Sequence, residues 1–336
     1  MITDPTERLF LRERIRNRLR HLTTRHRQGD AAHMFIFSTP RSGSTWLAEL
    51  IATQGRFKVV NEPFNLRRPV VRATLGFDDW SLLLDPASKP AMRAYLQKFI
   101  DDEDDDPRFK REIPFSDQWH FTTDRMLFKI LFAGEDDFGW FAREFGGQTL
   151  LLLRHPIPVS LSREELPRLH SFLTGPFATR FTEQQRAVAR SVIESANHFE
   201  MAVLDWCLQN AVPLLGVDPK WTIISYEQMV LDPDTAITHL AQRLSLPDPA
   251  RMLKRLGRAS ASTVKSSAES RRLLQHQRAA PEAGPALIGR WRGRVTPQQE
   301  ARAFDIVEAF EIDYYLRGSL TPNPKWLLSA PRRQAP

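Results

Sequence analysis

The stretch FIFSTPRSGSTWLAELI, Phe35 to Ile51, limits the fold more than any other part of the chain. An apolar run of strand length passes into a loop of small residues, and the loop passes into a helix. The strand is predicted from Met34 to Ser38 and the helix from Thr45 to about Thr53. FKVVNEP then supplies a second short strand that ends in a turn at Pro63. Strand, helix, strand in close succession predicts a parallel sheet. Further buried strands are expected at MLFKILF (Met126 to Phe132), TLLLLR (Thr149 to Arg154) and WTIISYE (Trp221 to Glu227), with helical segments around Glu183 to Gln209 and Pro233 to Arg243. The fold class is therefore α/β, a parallel sheet of the phosphate-loop type flanked by helices in a single domain.

The segment from Asn65 to Asp124 is less regular, and DDEDDD (Asp101 to Asp106) reads as a solvated loop, because adjacent like charges repel and nothing fixes a coordination geometry. A second irregular stretch, SSAESRRLLQHQRAAPEAGPALIGRWRGRV, reads as a long loop of the kind that often carries function. Near the amino terminus Leu11, Ile15, Leu19 and Leu22 share one helical face, and Arg12, Arg14, Arg16, Arg18 and Arg20 occupy the others. Such a helix packs its apolar side on the domain or rests on an anionic membrane surface. The layout is a basic amphipathic helix over 1–30, the main domain over 31–320 and a tail over 321–336.

The formal net charge of +7 suits an anionic partner. Nucleic acid would call for basic patches interleaved with stacking aromatics, and no such run is present. The lone Cys207 permits no intrachain disulfide and no cysteine-rich zinc site. No secretory apolar run and no stretch of about 18 apolar residues is present, so the expected location is the cytoplasm.

A nucleotide triphosphatase loop follows its glycine with a lysine for the terminal phosphates and a hydroxyl for magnesium. Aligned on Gly43 and Thr45, this chain has Ser38 in place of the first glycine and Ser44 in place of the lysine, and the positive charge has moved to Arg41. Backbone amides of Ser42, Gly43, Ser44 and Thr45 at a helix start still make a nest for an anion.

TPRSGSTWL resembles the 5'-phosphosulfate loop of sulfotransferases that use 3'-phosphoadenosine 5'-phosphosulfate (PAPS). A second element, LLLLRHPIPVSLSRE, is similar to the family's 3'-phosphate site, with Arg154 ending a strand and Ser162 eight residues later. Arginine offers a fork of donors to a phosphate, and serine adds a hydroxyl. A third, LIGRWRGRVT, resembles the segment that closes over the cofactor and brings Arg290, Trp291 and Arg292. Trp46 or Trp291 stacks on the adenine, or both are packing aromatics. The resemblance implies PAPS as co-substrate and a hydroxyl-bearing acceptor, and the residues seen require no metal.

Sulfuryl transfer needs a base for the acceptor proton and cations around the moving sulfonate. Arg41 meets the second need. Glu62, directly after the second strand, is the candidate base, with His120 and His170 as rivals. Carbohydrate-directed and some bacterial sulfotransferases carry a similar Glu-Pro element, which tilts the expected acceptor toward a sugar or other polar hydroxyl. Lys129, the one cation in MLFKILF, reaches the sulfonate or the acceptor, or snorkels to solvent. Two other functions fit parts of the pattern: a small-molecule kinase of the phosphate-loop type, and a non-catalytic anion-binding protein.

Overall fold

The computed structural model of the protein describes residues 25–103, 120–256 and 283–328. Its centre is a five-stranded sheet, every pair parallel, made of β2 (His33–Phe37), β3 (Phe57–Asn61), β5 (Arg125–Ile130), β6 (Gly147–Leu153) and β7 (Thr222–Ser225) in the order β3-β5-β2-β6-β7. Two two-residue strands, β1 (Arg25–His26) and β4 (Thr122–Thr123), pair beside it. The helices are α1 (Ser44–Ala52), α2 (Pro69–Leu75), α3 (Lys89–Ile100), α4 (Phe138–Phe145), α5 (Pro156–Ser160), α6 (Glu183–Glu194), α7 (His198–Leu215), α8 (Tyr226–Leu231), α9 (Pro233–Arg243), α10 (Pro249–Leu256), α11 (Ala283–Gly289) and α12 (Pro297–Ala309).

The central strands β2, β5 and β6 are mostly apolar and buried because both faces of the sheet are covered. Alternation of side chains sends Phe35, Phe37, Phe128 and Leu151 into one core, and Met34, Ile36, Leu127 and Leu150 into a second core that includes α1. Phe35 lies opposite Phe128 in the register, and the two rings stack at 5.2 Å. The central strand β2 carries the loop. The chain leaves it toward β3 on one side, whereas β6 and β7 lie on the other, so the loop sits where the strand order reverses, outside the carboxyl ends of the strands.

The α/β single domain expected from the sequence is the fold observed. Four expectations differ in detail. WTIISYE stops being a strand at Ser225, whose hydroxyl accepts the Gln228 N–H while Gln228 Oε1 accepts the Ser225 N–H; this capping box starts α8 at Tyr226. The helical stretch from Glu183 is two helices, parted where Ala196 adopts a left-handed φ of 52° and Asn197 caps α7. The region after Asn65 holds α2 and α3, and in α3 Met92, Tyr95, Leu96, Phe99 and Ile100 share one buried face. Nor is the acidic run wholly solvated, since Asp102 pairs with the buried Lys58 and lies 3.8 Å from Arg25.

The arginine-rich helix expected at Leu11 to Leu22 falls outside the described residues. Of the long carboxyl-terminal loop, residues 283–294 form α11 and a 3₁₀ turn, Arg290–Arg294. The tail drawn from residue 321 starts within packed structure, where Pro322 bridges Tyr315 and Trp326 lies against Tyr314.

Candidate active site

The loop between β2 and α1 turns on two left-handed residues, Arg41 (φ 76°) and Gly43 (φ 94°). Glycine is required at the second, because a Cβ there would lie 2.9 Å from Cδ2 of Tyr226. Thr39 Oγ1 and Ser42 Oγ, 2.6 Å apart, brace the turn. No side chain caps the start of α1 and its first turn holds no acid, so its N–H groups and the positive end of its dipole face the loop uncompensated. Ser38 Oγ is buried without a hydrogen-bond partner, and the Arg41 side chain is exposed. Together these form a cradle of backbone amides with a cation at its rim, a geometry that suits an anion.

On the β6 and β7 side, Arg154 ends its strand and bends over the cradle. Its Nη1 donates to the Arg41 carbonyl at 3.0 Å, and its guanidinium lies 4.1 Å from the Tyr226 ring centre. Its Nε is buried and has no partner. The Arg154 carbonyl accepts the Trp206 indole N–H at 3.1 Å, which fixes the strand end against α7. Trp46 faces Tyr226 at 5.7 Å, so an indole and a phenol flank the loop. Burial raises the Tyr226 pKa against the pull of Arg154 and, more weakly, of Arg290, which brings the carboxyl-terminal arginine segment to this side of the site.

On the β3 and β5 side, Lys129 stands opposite both Ile36 and Asn61 in the register, on the face of β5 that looks at α1. The residue is 3% exposed, and its ammonium donates to Thr45 Oγ1 at 2.9 Å and to Glu62 Oε1 at 3.1 Å. Glu62 adopts a left-handed φ of 54°, and its N–H bonds the Lys129 carbonyl at 2.8 Å. Its other oxygen accepts from Asn65 Nδ2 at 2.9 Å and lies 3.6 Å from Arg68. Burial alone would raise the Glu62 pKa, but the charges of Lys129 and Arg68, with the hydrogen bonds from Lys129 and Asn65, hold it below the ordinary carboxylate value.

Beneath Arg154 a sealed network ties in the end of the chain. Glu227 accepts the His155 N–H at 3.1 Å and the Tyr315 hydroxyl at 2.6 Å, and burial pushes its pKa up. His155 Nδ1 accepts from the Ile157 N–H and Nε2 meets the Ser319 carbonyl at 3.1 Å, which makes it the neutral Nε2–H form. Burial lowers its pKa to about 3. Trp291 stacks on His155 at 4.8 Å.

The structure thus gathers Arg41, Ser42, Gly43, Ser44, Thr45, Trp46, Arg154, Glu62 and Lys129 around one loop. Ser162 lies past α5, and its hydroxyl donates to the Pro158 carbonyl at 2.8 Å. The Trp291 indole is committed to packing, whereas Arg290 and Arg292 are exposed, the latter donating to the Gly318 carbonyl at 2.8 Å. His170 is exposed before a 3₁₀ turn, and His120 opens the segment that leads into β4. Sequence reading missed Tyr226, Asn65 and Arg68. Tyr226 was hidden by its place at the end of an apolar run, although the Ser225 to Gln228 capping pattern marks a helix start there.

Among the described residues no group of three or more His, Cys, Asp or Glu is arranged to hold a metal ion, and no helix is long and apolar enough to cross a membrane. No family model and no curated protein matches the sequence. The structure is similar to the sulfotransferase domain from the curacin biosynthetic pathway, with a TM-score of 0.42 and 15% identity over 84% of this chain and 98% of that one. It is also similar to the sulfotransferase domain from the Synechococcus PCC 7002 olefin synthase, with a TM-score of 0.42 and 19% identity over 86% and 99% of the two chains.

Proposed function

We propose that the chain is a PAPS-dependent sulfotransferase acting on a hydroxyl of a carbohydrate or similar polar acceptor. The observation that carries this reading is the run of contacts through the loop, from Arg154 to the Arg41 carbonyl on one side and from Thr45 through Lys129 to Glu62 on the other. A cradle for one anion, a second cationic site at a strand end and a carboxylate beyond the cradle are the three parts that the reaction needs.

The residues fit a bisphosphorylated nucleotide. The uncapped start of α1 and the amides of Ser42 to Thr45 suit the 5'-phosphosulfate, and Arg154, with a buried Nε in want of an acceptor, suits the 3'-phosphate. Ser162 joins it by turning its hydroxyl away from Pro158. Trp46 and Tyr226 offer aromatic surface for the adenine, and Arg290 and Arg292 close the anionic face. In the transfer, the bond from sulfur to the phosphate oxygen breaks as one to the acceptor oxygen forms. Glu62 takes the acceptor proton, Arg41 and Lys129 balance charge on the moving group, and adenosine 3',5'-bisphosphate leaves. Lys129 occupies the hydroxyl that a nucleotide triphosphatase gives to magnesium, which favours this reading over a kinase. A cytoplasmic location suits the single buried thiol, Cys207.

Thermal-shift titration with adenosine 3',5'-bisphosphate, AMP, ATP and ATP with magnesium tests the reading. The bisphosphate is expected to stabilise most, by about 2.7 kcal/mol at 100 times its dissociation constant. Equal shifts with AMP, or an ATP shift that needs magnesium, would sink it.

A further inference from the structure

We infer that Lys129 is a latch between the loop and Glu62: an anion seated on the loop competes with the carboxylate for one buried ammonium, so that Glu62 becomes an effective proton acceptor only when the loop is loaded. The inference rests on the sulfotransferase reading for the identity of the anion and on geometry for the coupling.

Lys129 and Glu62 are locked in register. The Glu62 N–H bonds the Lys129 carbonyl, and Asn61 faces Lys129 across β3 and β5, so the two side chains cannot drift apart without breaking the sheet edge. The ammonium has three donors. One goes to Glu62 and one to Thr45, the second residue of the helix whose start forms the cradle, which leaves the third without a partner among the described residues. Thr45 Oγ1 and Glu62 Oε1 are no farther apart than those two bonds laid end to end.

The charged groups acting on Glu62 are Lys129 from β5 and Arg68 from the turn before α2, and the neutral contact is Asn65. Arg68 is held elsewhere as well, since its Nη1 donates to the Asn61 carbonyl at 2.9 Å. Among the described residues, Lys129 is the cation that bonds both the carboxylate and the helix of the cradle. A carboxylate held by two cations is a weak base, in keeping with its lowered pKa. An anion on the loop that draws on Lys129 weakens that hold and makes Glu62 more basic. Coupling of this kind is reciprocal, so removing the Glu62 charge must free Lys129 for the anion and tighten anion binding.

The test is calorimetric titration at neutral pH of wild type, Glu62→Gln, Lys129→Met and the double variant, with adenosine 3',5'-bisphosphate in one arm and inorganic sulfate in the other. Glu62→Gln is expected to tighten both anions about fivefold or more, the lower end of typical coupling between sites. That gain should largely vanish when Lys129 is already methionine. Should Lys129→Met fail to fold, Lys129→Gln takes its place, and the gain should largely vanish there as well. A folded Glu62→Gln protein with unchanged or weaker affinity overturns the latch, as does an equal gain in the methionine background, which would mean simple repulsion. Sulfate binding without bisphosphate binding would remove the PAPS reading while the sulfate arm still decides the latch. A wild type that binds neither overturns both.

Discussion

Two carboxylates lie on opposite sides of the same loop, and their surroundings differ in kind. Glu62, on the β3 side, faces two cations and an amide, and its pKa is lowered. Glu227, on the β7 side, accepts from a phenol and a backbone N–H inside a sealed core, and its pKa is raised. Burial acts on both in the same direction; at Glu62 two cations and the hydrogen bonds from Lys129 and Asn65 outweigh it, whereas at Glu227 the Tyr315 hydrogen bond and the charge of Arg154 do not. The first carboxylate is held ionised beside the cradle, where the proposed reaction requires a base. The second is a pin that joins Arg154 and His155 to the end of the chain.

The contrast breaks first at Glu62. With an acceptor found by screening sugars and simple alcohols against labelled PAPS, Glu62→Gln should cut turnover by about 10²–10⁴, the usual worth of a general base, without weakening bisphosphate binding. Turnover within a few-fold of wild type would move the base to another residue, with His120 and His170 next in line. Removing the cation on the other side comes second. Arg154→Ala should lose charge-assisted bonds worth about 1.5–3 kcal/mol while the fold survives, and wild-type affinity in a calorimetric titration would place the 3'-phosphate elsewhere.

Gly43→Ala sharpens the picture of how the two sides meet at the loop. A left-handed alanine costs about 1–2 kcal/mol, and its Cβ would press on Tyr226, so both the melting temperature and bisphosphate affinity should fall. An unchanged melting temperature would mean that the loop relaxes freely. The smallest effect is expected at the pin. Glutamine at 227 still accepts from His155 and can donate to the Tyr315 oxygen, so Glu227→Gln should change neutral-pH stability by less than about 1 kcal/mol.

The pH profiles should separate the two acids. A raised folded pKa means that the Glu227 contribution is full below its ordinary value and lost as pH rises through the folded one, and the glutamine variant should lack that loss. Glu62 has the opposite sign: its contribution is present above the ordinary value and lost as pH falls through the lowered one. Denaturant titrations across acid pH that showed the same slope change in both variants would remove the distinction.

Much of this arrangement could be read from the chain. Each sheet strand is a short, mostly apolar run, so its position follows largely from hydrophobicity, and small residues between strand and helix mark the loop. Lys129 stood out because a lone cation in such a run must find a partner. What failed was local. The amphipathic spacing of α3 was present but lay beside an acidic run that drew attention to charge, and Tyr226 looked like strand because a capping box can end an apolar run without glycine or proline. Arg68 and Asn65 could not be found from sequence, since they serve through a turn set by the left-handed Glu62.

The stack of Trp291 on His155 and the bond from Tyr315 to Glu227 also bear on how the molecule is made. The loop and Glu62 are synthesised early, Arg154 midway, and the Tyr315 hydroxyl that closes the Glu227 network beneath Arg154 close to last. A nascent chain therefore holds the β2, β3 and β5 side well before the opposite side can close. Its β6 edge stays open to chaperones, or to wrong pairing, until β7 has been made.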